Sequence, residues 1–528
     1  MNDQSFWISV NDLKAYANAF YGLIPGGVSV LDDTDSDIQV PNDINSFLWG
    51  QYVVPTEGGV WQKSNWQNIR NINYFMTHYQ SVQAAEADVN IYVAEMRFFR
   101  ALEYSNKIQL LGDVPWLEVD LNVDSEELYG PKMKRNQVFQ KIIEDLDFAI
   151  QWLPEAGSEE ANRLNKDIAR HVKARFCLNE GTHYKYHDEL EYASEAEKWL
   201  QMAATESDKL ITSGRYEIYN TGHPQEDYFN MYRIDDKSDL KEAVLYVDYK
   251  TNIREHNMAA AGREAGCGFS KSFVESFLCS DGLPISLSNK YLGDETMRKE
   301  TANRDPRLKQ LILTNDFPTN VTDDLKDSTF VVNEDEFITQ HCFTGYRPIK
   351  GFNPIYSQAL YMKSSFDGIA YRYAETLLIN AEAKAELNTI TNADLDRTVN
   401  QLRDRVGMPH LTVNVGFTDP KWPDWGYSLS PVLQEIRRER CIELAGEGFR
   451  FNDLKRWKAG KLLNNVLTYV GKRKPDGNLA IVYPNYTNPD LSYQAGKSRT
   501  WEDKMYLYPI PTGELQRNPQ LLPQNPGW

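Results

Sequence analysis

Apolar positions recur at helical spacing through much of this chain. Val138, Ile142, Leu146, Ala149 and Leu153 keep to one helix face, and Pro154 ends the run. Ala196, Trp199, Leu200 and Ala203 define a second such face. Leu395, Val399, Leu402 and Val406 define a third, with Gly407 as its stop. Each face follows a segment rich in alanine and arginine: "YVAEMRFFRALEYSNKIQLLG" from Tyr92, "DIARHVKARFCLNEG" from Asp167 and "YRYAETLLINAEAKAEL" from Tyr371. An opening pair is formed by "NDLKAYANAFYGL" from Asn11 and "WQNIRNINYFM" from Trp66. The expected fold is mostly α, with four tetratricopeptide-like helix pairs forming a superhelical scaffold. Small residues on the first helix of a pair let the second approach closely. Long loops interrupt the regular period of about 34 residues that such repeats usually keep.

Elsewhere the helical period lapses. Residues 216–350 hold short apolar runs, "EAVLYVDY", "RLKQLILT" and "STFVV", separated by Asn, Asp, Gly and Pro. They predict small strands within a large irregular, loop-rich module. The tail from Tyr469 is rich in Pro, Asn and Tyr. We divide the chain into an N-terminal helical part, 1–215, and a C-terminal part, 216–528. The second part carries the irregular module, the fourth helix pair and the tail. No linker separates them, so one compact unit is expected.

Charge narrows the function. The 528 residues hold 57 Lys and Arg against 75 Asp and Glu, a net charge of −18. A net-acidic surface repels phosphate backbones and excludes a general nucleic-acid binder. No apolar run reaches the roughly 18 residues of a membrane-spanning helix. The start "MNDQSFWISV" is not a signal peptide. Five scattered cysteines contain no CxxC pair, against both a disulfide framework and a zinc finger.

Candidate chemistry begins with "RRERCIELAGEGFRFNDLKRW", Arg437 to Trp457. Glu435, Glu439 and Glu443 share a helix face, and two carboxylates on adjacent turns would suit a glycosidase. Arginines at helical spacing hold such acids ionised, which favours ion-paired scaffolding. Arg438, Arg440 and Arg450 are therefore expected to be buried against Glu439, Glu443, Glu447 or Asp453. His183 and His187 of "HYKYH" lack a third ligand and read as a packing pair rather than a zinc site. No GxSxG, HExxH or CxxC occurs, so neither a catalytic residue nor a metal or other cofactor is expected.

The segment "LDDTDSDIQVPNDINSFLWGQYVVPTEGGVWQKSNW" between the first two helices is long for a loop. It interleaves Trp49, Tyr52 and Trp61 with Asp43 and Asn45. A sugar ring offers an apolar face to an aromatic ring and hydroxyls to carboxylates and amides. The alternative is that these rings plug the loop against the helices.

Six ordered stretches then carry a resemblance: "YVAEMRFFRALEYSNKIQLLGDVPWLE", "VFQKIIEDLDFAIQWLP", "NRDPRL", "RYAETLLINAEAKAEL", "IRRERCIELAGEGFRFNDLKRW" and "YLYPIPTGELQRNPQLLPQNPGW". The chain resembles the SusD/RagB family, outer-membrane nutrient-binding lipoproteins of Bacteroidetes, from about Asn11 to Trp528. The resemblance implies the same helical fold and a non-catalytic protein on the cell surface. Such a protein captures oligosaccharides or polysaccharides and passes them to a SusC-like TonB-dependent transporter. It implies a lipid anchor on a cysteine ahead of Met1, with the signal peptide removed. In relatives, ligand aromatics come from the loop between the first two helices and from the irregular module. This supports Trp49 and Trp61 and adds Arg347, in "GYRPIKGF", as a polar contact. The insertion "FTDPKWPDWGYSLS", with Trp422 and Trp425, is read as structural. Two alternatives remain: a helical-fold glycoside hydrolase, which needs an unpaired carboxylate pair beside the tryptophans, and a tetratricopeptide-type adaptor binding peptides.

Overall fold

Packing sorts the chain differently from sequence order. The computed structural model describes residues 6–41, 45–261, 265–481 and 499–528. It forms two compact units. One comprises Met1–Pro25, Tyr52–Phe176 and Glu502–Trp528, the other Gly26–Gln51 and Cys177–Trp501. The boundary drawn at residue 215 followed helix content, whereas the units follow packing.

The first unit contains α1 (Val10–Asn18), α2 (Gln67–His78), α3 (Glu86–Leu111), α4 (Arg135–Trp152) and the start of α5 (Lys166–Tyr186). The periodic residues Val138, Ile142, Leu146 and Ala149 of α4 are fully buried against α3. Across that seam Asp145 accepts Arg100 Nε and Nη2, both at 2.7 Å, and Arg97 Nε at 2.7 Å. Helix α4 ends where Leu153 turns extended ahead of Pro154. The terminal motif closes α3. Asn525 Nδ2 donates to the carbonyls of Leu111 (2.8 Å) and Tyr508 (2.6 Å), satisfying an oxygen that the helix end leaves open.

The second unit holds the rest of α5, then α6 (Ala193–Ser213), α7 (Tyr373–Glu386), α8 (Asn392–Asp396), α9 (Val399–Arg405), α10 (Pro431–Glu443) and α11 (Arg450–Arg456). Helices α5 and α6 meet at Gly181, where a Cβ would lie 2.9 Å from the Leu200 side chain and 3.0 Å from its nitrogen. Asn380 Nδ2 of α7 donates to Ala204 O (3.0 Å) and Ser207 Oγ (3.1 Å) of α6. The run from Leu395 to Val406 buries all four periodic residues. It does so as two short helices, broken where Thr398 leaves the helical region.

Among the described residues the second unit forms four two-stranded antiparallel ladders. Ala243–Val247 pairs with Gly368–Arg372 and Ser328–Phe330 with Pro318–Val321, as the runs at "EAVLYVDY" and "STFVV" suggested. The run "RLKQLILT" differs, because Arg307–Leu311 is a helical turn. Asp305 accepts the Arg307 N–H at 3.0 Å, and Leu308 and Leu311, three apart, are fully buried. Among the described residues no helix is long and apolar enough to cross a membrane.

Candidate functional site

Helix α10 starts with Pro431 at its first position and Ser430 accepting the Leu433 N–H. It buries Glu435, Glu439 and Glu443 on one face. Glu443 accepts Arg405 Nη2 (2.6 Å), Arg372 Nη1 (2.6 Å) and Arg307 Nη1 (3.0 Å). Burial opposes its ionisation, but these three guanidiniums outweigh it and hold the carboxyl well below the usual range. Glu439 pairs with Arg307 (2.5 Å) and Arg403 (2.9 Å). Glu435 accepts the Trp422 indole N–H at 2.7 Å. The clamping arginines come from 307, 372, 403 and 405, not only from the helix itself.

Arg440 meets Asp453 at 2.8 Å as expected. Arg438 instead pairs with Asp419 at 2.6 Å, and Arg450 with Asp37. Sequence spacing cannot supply these partners, since they lie on other segments. Each acid of α10 is locked in scaffolding rather than free for acid–base work. His183 and His187 are buried and stacked, with centroids 4.0 Å apart. His187 Nε2 lies 2.8 Å from Lys455 O. Among the described residues no cluster of three or more His, Cys, Asp or Glu is placed to hold a metal ion.

The residues singled out for sugar contact fall in both units. In the second, Asn45 builds a turn. Its Oδ1 accepts the N–H groups of Phe47 (2.9 Å) and Leu48 (3.2 Å), and its Nδ2 donates to Asp35 at 2.5 Å. Phe47 and Leu48 are thereby buried, and Trp49 is left half-buried. Its ring meets Tyr469 edge-on at 5.5 Å, and the Arg499 guanidinium lies 5.6 Å from the Tyr469 ring. Burial lowers Arg499 to about 10, although Asp37, Tyr469 and Asp35 favour its charge. Arg347 is half-buried, and its carbonyl accepts the Leu313 N–H at 2.8 Å.

In the first unit, half-buried Tyr52 sits edge-on to Tyr508 and Trp528, each at 5.7 Å. Trp61 tilts against Trp66 at 5.2 Å and is likewise half-buried. A left-handed glycine, Gly59 (φ +58°), opens its short 3-10 turn. Asp43 lies outside the described residues.

Trp422 and Trp425 both use their indole N–H groups internally, toward Glu435 and Gln434. This fits a structural role.

The stretch "NPIYSQALYMK" escaped the sequence reading. Tyr356 is 49 % and Tyr361 77 % exposed. The segment is tied down by Asn257 Oδ1 accepting Met362 N–H (3.0 Å) and Asp323 Oδ1 accepting Ser357 N–H (2.8 Å). Only the tyrosines themselves could have signalled it, because their spacing follows no period.

The SusD family model matches residues 212–528. SusD-like protein P2 of Formosa agariphila is 24 % identical over 558 aligned positions, covering 99 % of this chain and 94 % of the relative. A SusD-like protein from Bacteroides fragilis superposes with a TM-score of 0.76 at 24 % identity, over 100 % of this chain and 99 % of that one. A SusD-like carbohydrate binding protein from the same species gives a TM-score of 0.72 at 19 % identity, over 98 % and 100 %. The match takes in α7 to α11 and the terminal motif, the segments that carry the arginine–carboxylate scaffold and the cap on α3, and on it this chain belongs to the SusD family.

Proposed function

We propose that this protein is a non-catalytic, lipid-anchored glycan-binding protein of the outer-membrane surface. It captures oligosaccharides or polysaccharides and delivers them to a SusC-like TonB-dependent transporter. The observation that carries this reading is the set of half-buried rings Trp49, Tyr52 and Trp61 in a SusD-family chain. Each offers partly accessible aromatic surface. Asn45, Asp43 and Arg347 supply the polar contacts, and the exposed Tyr356 and Tyr361 add further stacking surface. A SusD-like relative is itself described as carbohydrate binding. The non-catalytic reading is supported by the clamped state of Glu439 and Glu443.

Half-buried rings leave much of a ligand wet. Affinity should therefore be modest, micromolar to millimolar, or about −8 to −4 kcal/mol. A glycan array with the purified protein tests the reading, followed by product analysis of every glycan bound. Binding without cleavage supports it, whereas no binding to any glycan, or turnover, sinks it. The transporter step is tested separately by co-purification of the lipidated protein from outer membranes.

A further inference from the structure

The second unit contains a cavity of about 570 Å³. None of the residues assigned above to glycan contact lines it. Its volume lies within the roughly 300–1,000 Å³ typical of small-molecule sites. Buried Ile38 and Phe273 contribute apolar wall, and Trp422, Ile285, Leu462 and Leu467 contribute more, each half-buried.

Most charges around it are already neutralised: Arg450 by Asp37 (2.7 Å), Arg438 by Asp419 (2.6 Å), Lys421 by Glu275 (3.0 Å) and Arg437 by Glu386 (2.9 Å). What remains is a set of donors and one carboxylate, Asp424. Gln434 spends its carbonyl on the Trp425 indole, and Asn465 spends its own on the Leu467 N–H, which leaves both amide NH2 groups. Lys461, exposed at the cavity, has no ion pair or hydrogen bond among the described residues. Asp424 also lines the cavity; it is exposed and accepts the Gly426 N–H at 3.0 Å.

We propose that this cavity binds a small molecule with an apolar body and an anionic oxygen group. The body packs on the wall that includes Trp422, Ile285 and Leu467. The anion is taken by Lys461 with the Gln434 and Asn465 amides. Closed ion pairs exclude a multiply charged ligand, because none of those guanidiniums is free to neutralise it. The largely apolar wall disfavours a bare sugar, whose hydroxyls would lose water without matching partners.

The test uses two fluorescent probes of similar shape, anionic 8-anilinonaphthalene-1-sulfonate and uncharged N-phenyl-1-naphthylamine. Wild type should show one saturable site for each, with Kd on the order of 10–100 μM. Ile285→Trp with Leu467→Trp should obstruct the cavity and weaken both probes at least about tenfold at an unchanged melting temperature. If the double variant does not fold, each single variant is used. Lys461→Glu should weaken the sulfonate probe about fivefold and leave the neutral probe within about twofold. Unaltered binding to the obstructed protein overturns the site. An equal effect of Lys461→Glu on both probes overturns the anionic contact, and absence of saturable binding overturns both. Trp49→Ala should leave probe binding untouched, so failure here is distinct from failure of the glycan reading.

Discussion

Arg450 and Asp37, 413 positions apart, form a bidentate pair: Nε donates to Oδ1 at 2.7 Å and Nη2 to Oδ2 at 2.8 Å. Burial works against the arginine charge, but Asp37 outweighs it and holds the group more basic than usual. The loop after α1 is thus tied to the first turn of α11. Arg450→Ala leaves a carboxylate without its counter-charge, and breaking a buried pair costs about 3–5 kcal/mol. Chemical denaturation should read that loss, with glycan affinity of the folded fraction unchanged. A variant with wild-type stability and no glycan binding would instead place Arg450 in the ligand site.

Stability should carry a pH signature from Asp33. Among the described residues its carboxylate accepts only the backbone N–H groups of Gly446 (2.7 Å) and Arg450 (2.9 Å), and burial pushes it up to about 7 from an ordinary 3.8. The folded state therefore holds a proton that the unfolded state releases. This stabilisation is complete below about 3.8 and is lost as pH rises through about 7. Asp33→Asn should remove that downward slope between pH 4 and 7, as roughly located by the two pKa values. The comparison is wild type against variant in urea melts across the range. Parallel curves would refute it.

Two left-handed glycines separate strain from crowding. Gly446 (φ +81°) has Val30 O 2.3 Å from the position of a Cβ, whereas Gly50 (φ +65°) has nothing within 4 Å. Gly50→Ala should cost about 1–2 kcal/mol from the left-handed backbone alone. Gly446→Ala should cost more, because a backbone carbonyl cannot move aside as a flexible side chain does. Equal melting temperatures for the two variants would contradict this.

Trp49→Ala and Trp61→Ala each address one proposed glycan contact. An aromatic contact contributes roughly 0.5–1.5 kcal/mol beyond its area, enough to abolish measurable binding of a weak ligand. Calorimetry with the glycan selected by the array should show loss in both variants at unchanged folding. Normal binding by both would move the site elsewhere, with Tyr356 and Tyr361 next to be replaced.

Salt distinguishes the ligand class. A neutral glycan releases no counterions, so its affinity should hold between roughly 50 mM and 1 M salt. A steep fall would indicate a polyanionic ligand.

Local chemistry determined the helices. The apolar period across Val138 to Leu153 required α4, and Pro154 required its end, because a proline disfavours helical geometry in the residue before it. Gly407 likewise stands at φ +66° just after α9. The acid-rich face of α10 was also legible, since residues four apart share a helix face whatever surrounds them. Glu439 and Glu443 could therefore be read as paired.

Apart from Arg440 and Asp453, tertiary structure decided the partners. Arg307, Arg372 and Arg405 converge on Glu443 from three separate segments, and Asp37 reaches Arg450 from a loop near the opposite end of the chain. Nothing in their spacing encodes this, because such pairs form only once packing has removed water from both charges. The aromatics followed the same rule. Trp49 and Trp422 are both tryptophans in polar loops, yet one is edge-on to Tyr469 and the other bonds its indole to a buried glutamate. The "RLKQL" run became helix rather than strand because Asp305 accepts its first N–H and Leu308 and Leu311 found a common core. A short apolar stretch satisfies either period, and the surface it must cover makes the choice.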